Sequence, residues 1–135
     1  MIPGDTPLIR PETLRQLVAH HQAEQAAITA LGIPEQKALQ GVSSGVFCFR
    51  DEWLWPNLAR VQAGASSGIG ITSLVDVAIA QGEMVATWSV SDPLEAMGID
   101  DGLKLARGEA EVRRRINERW MLSGVILVHP ETTYI

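Results

Sequence analysis

With 135 residues, 46% of them hydrophobic and 20% charged, the chain has the make-up of a single ordinary globular domain and not of a disordered or fibrous one. Its 11 Lys and Arg against 16 Asp and Glu leave a net charge of -5, an overall field that repels nucleic acid, so any phosphate site has to be local. No apolar run approaches the roughly 18 residues of a membrane span. The start lacks the charged and apolar regions of a signal peptide, and Cys48 is the only cysteine, so a reduced cytoplasmic setting is expected.

Pro3-Gly4-Asp5-Thr6-Pro7 is turn chemistry, and the chain reads as if it began within a domain. Pro11 suits a first helical position, and Leu14, Leu17 and Val18 recur at helical spacing, which predicts a helix from Pro11 to Gln25. Residues 26–30 either end that helix or form a short strand, and Gly32-Ile33-Pro34 breaks whatever is running. Val46-Phe47-Cys48-Phe49 reads as a buried strand with Cys48 as a small core residue, leading into a short helix that Asp51 caps and Trp53 and Leu54 anchor.

Residues 64–70 are loop-like, and Thr72 or Ser73 can cap a helix with Leu74, Val75, Ala78 and Ile79 as its apolar residues, ending before Gly82. From Met84 to Val90, Ala86, Trp88 and Val90 alternate with Val85, Thr87 and Ser89, the period of a strand. A long helix over 101–123 puts Leu105, Val112, Ile116 and Trp120 on one stripe, with a charged opposite face, and Gly124 stops it. Val125-Ile126-Leu127-Val128 predicts a final strand. Helices and strands alternate, so the expected class is α/β with a small, partly parallel sheet.

Three segments carry more than secondary structure. They are Gly4-Asp5-Thr6-Pro7-Leu8-Ile9-Arg10-Pro11-Glu12-Thr13-Leu14; Gly98-Ile99-Asp100-Asp101 with Leu105-Ala106 and Glu109-Ala110-Glu111 after it; and Arg113-Arg114-Arg115-Ile116-Asn117-Glu118 with Met121, Gly124-Val125 and residues 130–135. Pro34-Glu35-Gln36, residues 44–49 and Asp92-Pro93 fall between them in matching order. Together they resemble the nucleotidyltransferase domain of the bacterial bifunctional N-acetylglucosamine-1-phosphate uridylyltransferase/glucosamine-1-phosphate acetyltransferase family. The resemblance implies a partial Rossmann-like sheet with flanking helices over residues 1–100, a connecting helix over 101–124, and at 125–135 the start of a β-helix region that the chain lacks.

The chemistry that the resemblance implies is magnesium-dependent uridylyl transfer from UTP to N-acetylglucosamine 1-phosphate, which supplies the nucleotide sugar of peptidoglycan and cell-wall biogenesis. An oxygen of the sugar phosphate attacks the α-phosphorus and pyrophosphate leaves, so positioning and charge neutralisation do most of the catalysis. Asp5 is implied as the first magnesium ligand and Asp100, where the family carries Asn, as the second. Gly4, Asp5 and Ser43 are implied on the substrate, Ser43 standing where the family has an Asn. No side chain is implied as a covalent or acid-base group.

Several family features are absent from the sequence. It has no glycine-rich loop with its Lys and Arg; Gly68-Ile69-Gly70 has neither cation beside it and precedes a different helix. Near Leu31-Gly32 the family's uracil- and sugar-contacting segments drop out, no acidic residue stands in 67–72, and no hexapeptide repeat follows. The expectation is therefore an N-terminally truncated, internally deleted domain that is weak or inactive alone. A non-catalytic interaction module, self-associating through an open sheet edge, is the rival reading, and a gene fragment without activity is a third.

Other polar residues read as structural. Asp100-Asp101 also suits a helix cap, and Asp5 suits a braced turn. His20 and His21 are about 100° apart on a helix and are expected at the surface. His129 is expected to be structural. Arg113, Arg114, Arg115 and Arg119 interleave with Glu109, Glu111 and Glu118 in the pattern of a solvated helix with i,i+4 pairs. Trp53, Trp55, Trp88 and Trp120 are expected in core or interface contacts.

Overall fold

The computed structural model describes residues 1–33, 44–64 and 72–135. Pro11, with its fixed φ and no N–H to satisfy, opens α1 (Pro11–Ala23), which buries Thr13, Leu17 and His21 at four-residue spacing. The helix stops at Ala23, short of the expected Gln25, because Gln25 adopts a left-handed φ of +50°. Around it Gln25 N–H donates to Gln22 O and Ala26 N–H to His21 O, the paired bonds of a Schellman ending made without glycine. The chain is thereby turned directly into β1 (Ile28–Gly32), which resolves the open choice at residues 26–30 in favour of a strand.

Among the described residues, β1 is the central strand of a mixed three-stranded sheet. It pairs antiparallel with β2 (Phe47–Phe49) and parallel with β3 (Val85–Ser89), with Thr29 opposite both Cys48 and Ala86. The α/β class with a small, partly parallel sheet is thus the observed one. On the outer side of β2, the Met1 ammonium donates to Phe47 O at 2.7 Å and Phe47 N–H donates to Met1 O at 3.0 Å, a one-residue antiparallel bridge.

The pleat divides the core in two. Ile28 and Ala30 with Phe47, Phe49 and Val85 face α2 (Asp51–Gly64) and α3 (Thr72–Ala80), where Trp53, Leu74 and Ala78 close a buried cluster. Leu31, Val46, Cys48, Trp88 and Val90 face the other way, against Leu14 and Leu17 of α1. α2 is longer than the short helix expected and carries Pro56 inside it. Its Asn57 accepts from Gln81 Nε2 and donates to Trp53 O, while Trp53 Nε1 donates to Gln81 Oε1, a closed polar ring that ties α2 to the end of α3. Trp55 on the same helix is 65% exposed. The loop expected at 64–70 lies mostly outside the described residues, as do Pro34-Glu35-Gln36.

A short 3₁₀ helix, Pro93–Ala96, capped by the Asp92 carboxylate, leads to α4 (Gly102–Leu122), whose N-cap is Asp101. The final strand expected in the C-terminal part is not formed: Val125–Val128 pair with none of the described strands, and Ile126 and Val128 are 90% and 80% exposed. Of the predicted stripe, Leu105, Val112 and Trp120 remain exposed, Trp120 contrary to the core or interface contact expected of it, and α4 buries Gly108, Glu111 and Asn117 instead. Leu105, Val112 and Ile116 line a 350 Å³ groove against Leu8, Ile99, Tyr134 and Ile135. Asn117 Nδ2 donates to Pro130 O and Thr133 O, and the Arg113 guanidinium lies 4.5 Å from the Tyr134 ring centre, so the last residues fold back along the helix. A β-carbon on Gly108 would come within 2.7 Å of Ile99 Cδ1, so a larger residue there would have to displace the end of that side chain.

Charged groups that look solvated in sequence turn out to be structural struts. The expected i,i+4 pairs of α4 form, Arg113 with Glu109 and Arg114 with Glu118. Glu111, however, is buried, and is held by both Arg114 and Arg115. Arg115 also donates to Leu8 O at 2.6 Å, which fastens α4 to the N-terminal segment. The two arginines draw the Glu111 carboxyl down to about 2. Glu95 is buried too, accepting from Arg10 N–H and the Thr13 hydroxyl, with the Arg10 guanidinium alongside. A carboxylate remote in sequence thus satisfies the open end of α1, whose N-cap residue, Arg10, makes no side-chain cap bond.

His21 also corrects an expectation: only His20 is left partly exposed, while His21 is buried with Nδ1 2.8 Å from Thr29 Oγ1 in a hydrogen bond. Burial and the nearby Arg50 charge lower its pKa below the ordinary 6.5.

Two measurements test these struts. Glu95→Gln keeps the shape but removes the charge that holds Arg10 and Thr13, and should cost about 1–3 kcal/mol in urea unfolding. A loss under about 0.5 kcal/mol would show that the carboxylate is dispensable. For His21, the unfolded chain takes up a proton near 6.5 more readily than the folded one, so stability should decline as pH falls below that value. His21→Gln should flatten this slope, and an unchanged slope would exclude His21 as its source.

Candidate functional site

The N-terminal turn and the segment ahead of α4 are joined by one backbone bond, Ile99 N–H to Asp5 O at 2.7 Å. That bond puts the residues on either side of Ile99 next to Asp5. A β-carbon on Gly98 would lie 3.5 Å from Asp5 Oδ2, and Asp100 follows at the start of the next turn. Thr6, buried behind Asp5, donates to Pro3 O at 3.1 Å and braces the turn. Asp5 and Asp100 consequently line one open cleft of 460 Å³, together with Pro3, Ser44, Gly45 and Lys104.

Gly45 forms part of the wall with φ +74°, and a β-carbon on it would approach Pro3 Cγ to 2.6 Å, so both backbone and space demand glycine. Ser44 is committed to the backbone: its hydroxyl donates to Leu31 O at 3.0 Å and accepts from Val46 N–H at 3.3 Å. Gly4 lies between two residues of the cleft wall, yet a β-carbon there would meet nothing within 4 Å. Ser43, expected on the substrate, lies outside the described residues. So do Gly68-Ile69-Gly70.

Both carboxylates of the expected metal pair are solvent-exposed. The Lys104 ammonium lies 2.6 Å from Asp100 Oδ1 and 2.7 Å from Oδ2, and that hydrogen bond holds the Asp100 carboxyl below its usual range. Asp101 is occupied as the helix cap, its Oδ1 accepting from Lys104 N–H at 2.7 Å. Magnesium takes one or two protein carboxylates and otherwise water and phosphate oxygens, so the count of donors suits it. The charge does not, because an ammonium already spans both oxygens of Asp100. Among the described residues no cluster of three His, Cys, Asp or Glu could hold a metal ion.

Lys104 is the residue that sequence reading passed over. Its signal was present as an acid-to-base i,i+4 spacing from Asp100, which also reads as routine helix stabilisation. Among the described lining residues it is the only basic side chain in the cleft. Arg10, Arg114 and Arg115 are all engaged in the struts described above. The His129 imidazole is exposed, with Nδ1 3.9 Å from Glu131 Oε1, while its backbone carbonyl accepts from Thr132 N–H and from the Thr132 and Thr133 hydroxyls. No helix among the described residues is long and apolar enough to cross a membrane.

No protein-family model matches the chain. Individual proteins do. It is 32% identical to the bifunctional protein GlmU of Trichlorobacter lovleyi, over 98% of this chain and 35% of that protein. With GlmU of Enterococcus faecalis the identity is 32%, over 100% of the chain and 36% of the relative. With GlmU of Syntrophotalea carbinolica it is 34%, over 98% and 35%. The chain spans about a third of the length of the curated relatives it matches. The alignments run over 161 to 165 positions against 135 residues here, so inside the matched region the relatives have residues for which this chain has no counterpart. Matched from end to end in this way, the chain is a relative of the bifunctional GlmU family, corresponding to a nucleotidyltransferase-domain segment about one third of a member's length.

Proposed function

We propose that the chain derives from the UDP-N-acetylglucosamine pyrophosphorylase part of this family and retains the phosphate-facing end of its cleft, where it takes up a sugar phosphate or nucleotide sugar weakly. One observation supports this above the others. Asp5 and Asp100, far apart in the sequence, line the same cleft. On this reading magnesium is the accompanying ion, admitted only when Asp100 is released from Lys104.

The same cleft argues for weak turnover. Phosphoryl transfer depends on donors aimed at the charge that develops on the phosphates, and loss of one such donor commonly costs about a hundred- to thousandfold in rate. Here the described wall offers one cation, and it is already paired with Asp100. Release of pyrophosphate from UTP and N-acetylglucosamine 1-phosphate should therefore be absent or very slow, with Asp5→Ala as the control. Robust turnover that disappears in Asp5→Ala would refute the expected inactivity while upholding the cleft.

A second reading, a non-catalytic interaction module, is favoured by a particular surface. A 640 Å³ apolar groove runs between α1, β2 and α2, with Met1, Phe47, Leu58 and the exposed Trp55 in its walls. Light scattering across a concentration series separates the readings. Assembly that Trp55→Glu abolishes favours the module; a monomer throughout counts against it.

A further inference from the structure

Lys104 lies in the first turn of α4, where its backbone is pinned by the N-cap bond to Asp101 and its side chain reaches back to Asp100. Its ammonium spans both Asp100 oxygens, at 2.6 and 2.7 Å, and its side chain lines the same cleft as Asp5. Taken together, Asp5, Asp100 and Lys104 bring one net negative charge to the cleft instead of two. An ammonium held there does for Asp100 what a bound cation would do: it neutralises the carboxylate and fills its two lone-pair faces.

We propose that Lys104 is a built-in counter-ion of the cleft, and that a divalent cation and the Lys104 ammonium compete for the Asp100 carboxylate. This rests on the reading of the cleft given above. Entry of a divalent ion then requires the lysine side chain to swing out to water, which its exposed position permits at little cost. The ion also meets a cation a few ångström away until it does so. Lys104 acts here as a positioning and tuning residue, touching the carboxylate and not the reacting atoms.

The competition makes a charge-ordered series. Titration of the 135-residue protein with manganese chloride, followed by calorimetry and by the electron spin resonance of free manganese, should show Lys104→Gln binding about two- to fivefold more tightly than the parent, the factor that corresponds to the exposed ion pair which the ion must otherwise displace. Asp100→Asn should bind more weakly than the parent. The double variant Asp100→Asn with Lys104→Gln has the parent's net charge in the cleft and should lose the gain of the single lysine variant. Circular dichroism checks that each variant folds, and Lys104→Gln keeps the backbone N–H that Asp101 caps.

Two failures are distinguishable. If Asp5→Ala abolishes binding but Lys104→Gln leaves affinity unchanged, the cleft stands and Lys104 is no competitor. If Asp5→Ala leaves manganese affinity unaltered, or if neither the parent nor Lys104→Gln binds the ion, the cleft is not a cation site and both readings fall.

Discussion

The bond from Ile99 N–H to Asp5 O is the constraint on which the cleft depends. It joins a turn at one end of the sequence to the approach of the last helix at the other, and neither segment belongs to the sheet. A lone backbone bond is worth only about 1 kcal/mol, too little to hold two chain segments together unaided. Its persistence comes from what surrounds it. Arg115 grips Leu8 O from α4, Glu95 receives the start of α1, and Arg10 and Arg115 both approach Asp92. The N-terminal turn is thereby gripped from the 3₁₀ segment and from α4 at once.

This arrangement divides the work between two kinds of interaction. The sheet and helices α1 to α3 are held by apolar burial on both faces, Ile28 and Phe47 on one side and Leu31 and Val46 on the other. α4 meets the rest through charges and a carbonyl, with Glu111 buried under two arginines, and through an apolar stripe that lines a groove shared with Leu8, Ile99 and the C-terminal residues. A buried ion pair is costly to break on one side only, because the surviving charge is left desolvated. The charged contacts therefore specify where α4 lies more than they add stability.

The cleft differs from what the family resemblance alone suggests in one residue's company. Asp100 stands where the resemblance implies an Asn, and Lys104, one helical turn on, offsets the charge of its carboxylate by direct contact. A comparison made position by position records a conservative exchange of oxygen donors; the neighbouring lysine decides what that exchange means.

Much of this molecule was legible in its linear order. Pro11, the alternation in 84–90, the FCF run and Asp101 ahead of a charged helix each announce their element because the signal is local: φ restriction, pleat period or capping chemistry acts within a few residues. The pairing of Asp5 with Asp100 could be inferred only by resemblance, since nothing local links them. Tertiary structure alone decided that His21 is buried, that Glu95 serves as a distant cap for α1, that residues 125–128 have no strand to join and that the stripe on α4 faces a groove. Each of these depends on which surface arrives opposite a residue. The apolar pattern of a helix states that one face wants covering, but whether a sheet, a folded-back tail or water covers it is settled by the chain as a whole.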